Sequence, residues 1–184
     1  SGQYIVRIAL NRREVRVVPA AGEHPYGGTY SADGAWLYYV SSGTGEGTRL
    51  WRQRADGDGD DARQVSRSSI NSFRLISDQW LVYTKHGQDG LFRAPLDESD
   101  NETPLVADFP ASFWVDWTAR GNWIYFRRLG PDGSSSLARL SVESGEIETV
   151  SELHPTALGP NLAVGPGGRQ ILIARNDRMQ TDLF

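Results

Sequence analysis

The 184-residue chain has no cysteine, one methionine and three histidines. Without cysteine there is no disulfide, no thiolate nucleophile, no zinc–cysteine site and no iron–sulfur cluster. That absence fits reducing and oxidising compartments equally, so it leaves the choice between cytoplasm and periplasm open. The apolar runs are short, such as the five residues of Trp36 to Val40 and the four of Trp80 to Tyr83. A membrane helix needs about 20, so no membrane insertion is expected. The opening residues carry no basic, apolar stretch of the signal-peptide kind. The net charge is -4 and the 19 basic residues are scattered along the chain. A nucleic-acid surface concentrates its basic residues in a patch or stripe, so this segment is not expected to bind DNA.

Glycine and aromatic residues are plentiful. There are 20 glycines, nine prolines, six tryptophans, seven tyrosines and six phenylalanines. Glycine above the usual share of about 7% points to many tight turns, and aromatic richness favours strands over helices. The composition is that of a globular, all-β protein.

A repeat organises these residues. Ala35-Trp36-Leu37-Tyr38-Tyr39, Gln79-Trp80-Leu81-Val82-Tyr83 and Asn122-Trp123-Ile124-Tyr125-Phe126 stand 44 and 43 residues apart. A fourth copy, Arg169-Gln170-Ile171-Leu172-Ile173, has lost the tryptophan. Each follows a turn signal: Ser31-Ala32-Asp33-Gly34, Ser77-Asp78, Thr118-Ala119-Arg120-Gly121 and Pro166-Gly167-Gly168. A Leu-x-Arg element comes next in three units, as Leu50-Trp51-Arg52, Leu91-Phe92-Arg93 and Leu137-Ala138-Arg139, with Ile5-Val6-Arg7 as its counterpart near the start. A polar turn and a short strand close each unit, at Val15 to Val18, Arg63 to Val65, Pro104 to Val106 and Glu146 to Val150. Four short strands in ~40–45 residues predict a β-propeller blade. Both faces of Trp36 to Val40 are apolar, as a strand covered by neighbouring sheets on both sides requires. The predicted organisation is full blades over 29–66, 69–107 and 112–151, with partial blades over 1–20 and 158–184.

The Ser-x-Asp-Gly turn before an aromatic strand, followed by a Leu-x-Arg strand, resembles the TolB-type, WD-like propeller repeat of bacterial proteins. Ser31-Ala32-Asp33-Gly34 has Ala where that repeat commonly has Pro, and Gly165-Pro166-Gly167-Gly168 lacks its Ser and Asp. The tryptophans and the ending, from Arg175 to Phe184, resemble the C-terminal propeller of bacterial winged-helix transcriptional regulators. That resemblance implies a DNA-binding domain elsewhere in such a protein and a propeller that senses or binds a partner.

Candidate chemistry is sparse. Asp56, Asp58 and Asp60 in Asp56-Gly57-Asp58-Gly59-Asp60-Asp61 occupy calcium-loop positions 1, 3 and 5, but Asp61 and Arg67 stand where an EF-hand needs Gly and a bidentate Glu. A solvated hairpin is expected there, with no metal. His24, His86 and His154 fall in different units beside turn residues and read as solvated loop positions. No Gly-x-Ser-x-Gly elbow is present, Ser134-Ser135-Ser136 reads as a hairpin, and Gly43-Thr44-Gly45-Glu46-Gly47 lacks the Lys-Ser/Thr ending of a phosphate loop. Arg7, Arg52, Arg93 and Arg139 recur once per repeat, so they are expected to bury their stems and pair their heads with neighbouring carboxylates or carbonyls. Trp36, Trp80 and Trp123 are expected as core anchors.

The sequence therefore points to a non-enzymatic sensing or protein-interaction module with no cofactor. Its alternatives are the propeller part of a prolyl oligopeptidase-like hydrolase, or a periplasmic TolB-like scaffold or carbohydrate-binding propeller. The sequence does not name a small-molecule ligand. The partial blades at both ends, with a surplus third strand beginning at Asp182-Leu183-Phe184, predict open edges and an apolar face covered by a protein partner, either upstream blades or a second copy of the chain.

Overall fold

The computed structural model describes residues 4–11, 13–43, 47–76, 79–96, 101–113, 116–153 and 162–173. The turn at Ser77-Asp78, His154, the ending from Arg175 to Phe184 and Thr44 to Glu46 of the glycine-rich loop lie outside them. The chain divides into two compact units, Ser1–Ala111 and Ser112–Phe184.

The first unit holds three antiparallel sheets. β1 (Ile5–Ala9) pairs with β2 (Glu14–Val18). β3 (Tyr26–Tyr30), β4 (Trp36–Gly43), β5 (Gly47–Arg54) and β6 (Arg63–Gln64) form a four-stranded meander. β7 (Ile70–Ile76), β8 (Trp80–Lys85), β9 (Gln88–Pro95) and β10 (Thr103–Val106) form the next. In the second unit, β11 (Trp117–Arg120), β12 (Trp123–Leu129), β13 (Ser135–Ser141) and β14 (Ile147–Leu153) repeat the meander, and β15 (Leu162–Val164) pairs with β16 (Ile171–Ile173). No α-helix occurs among the described residues, so none is long and apolar enough to cross a membrane. The expected all-β class and four-stranded antiparallel sheets are what the chain forms, and each repeat tryptophan opens the second strand of its sheet.

The turn before β4 shows why its signature has that form. Ser31 Oγ donates to Asp33 Oδ1 and accepts from the Trp36 amide, while Asp33 Oδ1 also accepts from the Ala35 amide at 2.9 Å. These bonds, that from Ser31 foremost, hold the exposed Asp33 carboxyl below its ordinary value. Gly34 then takes φ +71°, which a side chain at Cβ disfavours. Gly121 does the same before β12, at φ +56°.

The second strands are buried on both faces. Leu37, Tyr38, Tyr39 and Val40 are all at most 3% exposed. On one side of β4, Tyr38 and Val40 pack with Leu50, Ile70, Leu81 and Phe92, joining the β3–β6 sheet to the β7–β10 sheet. On the other, Leu37 and Tyr39 pack with Val18, Ile5 and Trp51, joining it to β1 and β2. Each fully buried large side chain contributes about 1.5–3 kcal/mol. The Tyr39 hydroxyl donates to Gln53 Oε1 and accepts from the Ala21 amide, and Gln53 Nε2 donates to the Pro19 carbonyl. The buried phenol is thus satisfied, and burial raises its pKa above the usual value.

The outer face of the two-stranded sheet is different. Val6 and Ile8 of β1 lie opposite Val17 and Val15 of β2, and these four are 49–64% exposed. Among the described residues, this is an apolar sheet face left open to solvent.

Two ion pairs serve the core. Lys85, 8% exposed, pairs with Glu102, which also accepts from the Tyr83 hydroxyl. In the second unit, Asp116 pairs with Arg127 at 3.4 Å, and burial pushes the Asp116 carboxyl up against the pull of that arginine. Burial also pushes Glu102 up, but the bonds from Lys85 and Tyr83 and the Lys85 charge outweigh it, so its carboxyl lies below the ordinary range.

Two outcomes follow. Leu81→Ala opens a void at a fully buried position and is expected to cost about 2–5 kcal/mol in urea denaturation. Glu102→Ala leaves Lys85 without its carboxylate and is expected to cost about 1–3 kcal/mol. Because the folded Glu102 pKa is lowered, its contribution is complete above the ordinary carboxylate range and is lost as pH falls through the folded value. Urea midpoints measured down the acid limb are expected to converge for the native chain and the variant.

Candidate functional site

Between the β3–β6 and β7–β10 sheets of the first unit lies a groove of about 570 Å³. That volume falls within the roughly 300–1,000 Å³ range of small-molecule sites. Trp36, Tyr38, Trp80, Pro95 and Leu96 provide its apolar wall, and Ser31, Asp33, Arg52 and Gln79 its polar groups. The strand order explains the grouping. Trp36 and Trp80 each open a second strand, Pro95 lies opposite Trp80 at the end of β9, and the Ser31 turn feeds β4.

Arginines crowd the Trp36 ring. The guanidinium carbons of Arg54, Arg52 and Arg63 lie 4.5, 5.0 and 5.9 Å from its centroid. The ladder dictates this, because Trp36 faces Arg54, Tyr38 faces Arg52, and Arg52 faces Arg63 across neighbouring strands. Directly opposed residues project to one face, so three cations meet one π surface. The repeat carries a simpler version elsewhere: Arg93 lies 4.3 Å from the Trp80 ring centroid, and Arg139 lies 4.3 Å from that of Trp123.

The expectations for individual residues divide on this geometry. Arg7 pairs its head with a carbonyl, donating to Ala55 O at 2.7 Å. Arg139 pairs with a carboxylate, that of Glu148 across the β13–β14 ladder. Arg52 and Arg93 also bring their guanidinium carbons over tryptophan rings. The tryptophans, expected as core anchors, are only partly buried, because each opens its strand at the sheet's end, where no neighbour covers the whole ring. Arg54 and Arg63 were missed by the repeat pattern. The alternation Arg52-Gln53-Arg54 was the available signal, since residues two apart on a strand share a face.

The acidic loop is tied to its own backbone. Asp61 Oδ2 accepts from the Arg54 amide at 2.8 Å, and Asp58 Oδ1 accepts from the Asp60 amide at 3.3 Å. Among the described residues, no three His, Asp or Glu side chains gather where they could hold a metal ion. His24 is exposed before β3, and His86 is exposed in the β8–β9 turn. In the serine run, Ser135 Oγ accepts from Arg127 Nε at 2.9 Å, and the Ser134 amide donates to Asp132.

No protein-family model matches the chain, and no curated protein sequence does. Solved structures do. TolB of Acinetobacter baumannii superposes with a TM-score of 0.70 at 15% identity, over 91% of this chain and 42% of that one. A structure described as a TolB of Agrobacterium tumefaciens gives 0.68 at 17% identity, over 93% of this chain and 62% of its own. A chain of a nidogen/laminin complex gives 0.60 at 12% identity, over 95% of this chain and 67% of its own. The fold is that of a TolB-like β-propeller, and the chain spans 42% and 62% of the two TolB structures.

Calorimetric titration is expected to show no micromolar calcium site in the Asp56 to Asp61 loop, because the twelfth-position carboxylate is replaced by Arg67. A one-to-one micromolar isotherm that vanishes in Asp58→Ala overturns this.

Proposed function

We propose that this chain is a non-enzymatic recognition module, a propeller segment that senses a ligand or binds a protein through the groove between the β3–β6 and β7–β10 sheets. The observation that carries the reading is the groove itself: about 570 Å³ of recess walled by two tryptophans, a tyrosine and a proline on hydrogen-bonded strands and a leucine just beyond β9, with four polar groups among them. Aromatic walls with a few placed polar groups are what ligand sites use, and rigid strands hold them without ordering cost at binding.

The polar groups support binding over bond-making. Ser31 and Asp33 resemble a nucleophile beside a carboxylate, but both are engaged in the turn, where the serine oxygen accepts from the Trp36 amide and the aspartate from the Ala35 amide. Arg52 and Gln79 are the groups left to meet a ligand. The place of such a module within a bacterial transcriptional regulator is part of the same proposal, and it rests on the resemblance of the repeat and its tryptophans.

The test uses the protein's own fluorescence. Trp36 and Trp80 line the groove, so a panel of short peptides and oligosaccharides is titrated against the native chain and Trp80→Ala. A saturable emission change that weakens about tenfold or more in the variant is expected, on the scale of a buried aromatic anchor. Catalytic turnover of a panel member by the chain alone overturns the non-enzymatic reading. A panel without a single groove-dependent binder overturns the recognition site.

A further inference from the structure

The position opposite the repeat arginine differs from sheet to sheet. Across the third and fourth strands, Arg139 faces Glu148, Arg93 faces Thr103, and Arg52 faces Arg63. In the β11–β14 sheet the arrangement is neutralised by the Arg139–Glu148 ion pair. In the β3–β6 sheet the equivalent position holds a second cation, and Arg54 adds a third opposite Trp36. Like charges directly opposite each other on a ladder destabilise it. Among the described residues, none of these three guanidiniums forms an ion pair. The Asp33 carboxylate, which lines the same groove, is held by Ser31 and Ala35 and attracts the Arg54 charge without forming an ion pair, and Asp61 bonds the Arg54 backbone rather than its head. A β1–β2 counterpart, Arg7 opposite Arg16, is relieved differently, since Arg7 donates to Ala55 O and Arg16 pairs with Glu14. Among the described residues, the Trp36 π face is the acceptor that the three cations share.

We infer that this arginine cluster on Trp36 is a binding site for an extended acidic peptide segment, whose carboxylates take the place that Glu148 fills in the β11–β14 sheet. The inference rests on the recognition reading above and names its ligand class. Three features select the class. Guanidiniums match carboxylates with paired N–H donors, which a stacked arginine still presents at its edge. Arg52 and Arg54 are two residues apart on one strand, about 6.8 Å, which is also the spacing of alternate side chains in an extended peptide. The wall beside them, Trp80, Pro95 and Leu96, suits an apolar side chain next to the charges. An anionic sugar needs hydroxyl partners around its ring, whereas among the described residues Arg52 and Gln79 are the groove's only polar groups outside the Ser31 turn. The ligand is therefore an acidic residue, any residue, an acidic residue, and then an apolar one.

The experiment measures fluorescence anisotropy with a labelled, end-blocked Glu-Ala-Glu-Ala-Leu-Pro peptide. Saturable binding is expected, weakening as salt rises, because exposed charge pairs are screened. The Gln-Ala-Gln-Ala-Leu-Pro peptide is expected to bind at least tenfold more weakly. Arg54→Gln and Arg63→Gln, both at exposed positions, are each expected to weaken binding about two- to fivefold. Arg63→Glu gives Arg52 the kind of partner that Glu148 gives Arg139, so it is expected to abolish binding and raise Tm by about 1–3 °C. Arg16→Gln, in another sheet, is expected to change neither. Equal binding of the Gln peptide, or native-like binding by Arg63→Glu, overturns the acidic class. If that binding still depends on Trp80, the recognition reading survives without it. Trigalacturonate binding more tightly than the peptide overturns the peptide assignment in favour of an anionic saccharide.

Discussion

The structure depends on covering strands that are apolar on both faces. β4, β8 and β12 each present buried side chains to either side, as with Leu37 and Tyr39 against Tyr38 and Val40, or Ile124, Tyr125 and Phe126 at 0–4% exposure. Such a strand cannot lie on a surface. It needs a sheet of its own, to pair its backbone, and a further layer on each face. Within the first unit the β3–β6 sheet gains both layers, from β7–β10 on one side and β1–β2 on the other. A buried polar group costs free energy unless it is matched, and the Tyr39–Gln53 pair and the Lys85–Glu102 pair are two that are matched.

The same constraint sends function to the strand ends. Inside the layers the large apolar side chains are committed to packing, so uncovered aromatic rings are found where a strand begins. Trp36, Trp80 and Trp123 open their strands and are each partly uncovered, and an arginine from the third strand lies on each ring. The stack is structural in origin: it shelters the ring and gives the guanidinium a partner. It becomes a site only where the repeat departs from its own neutral form, in the β3–β6 sheet, with three cations on one ring beside a groove.

The fold was legible from spacing. Tryptophan at 44- and 43-residue intervals, the turn glycines and the Leu-x-Arg elements all report local geometry. Local geometry is what adjacent residues control, through positive φ at Gly34, the side-chain bonds of Ser31 and Asp33, and alternation along a strand. For the same reason the fourth strands came within a few residues of their observed bounds. The site was less legible. The arginines were sorted by recurrence, which selects what the repeat needs and passes over what one copy does differently.

The sequence alone thus determined the class of the fold, the succession of strands within each sheet and the Ser31 to Gly34 turn, because each is set by residues near one another in the chain. Thr118 to Arg120, read as a turn, instead belong to β11. Tertiary structure alone decided that Arg63 would stand against Arg52, that Arg54 would reach the same ring, and that Trp80 would close a groove with Trp36 from another sheet. Those juxtapositions depend on the register of one strand against the next and on how two sheets pack. Both are settled by side chains far apart in sequence, and neither leaves a periodic mark in it.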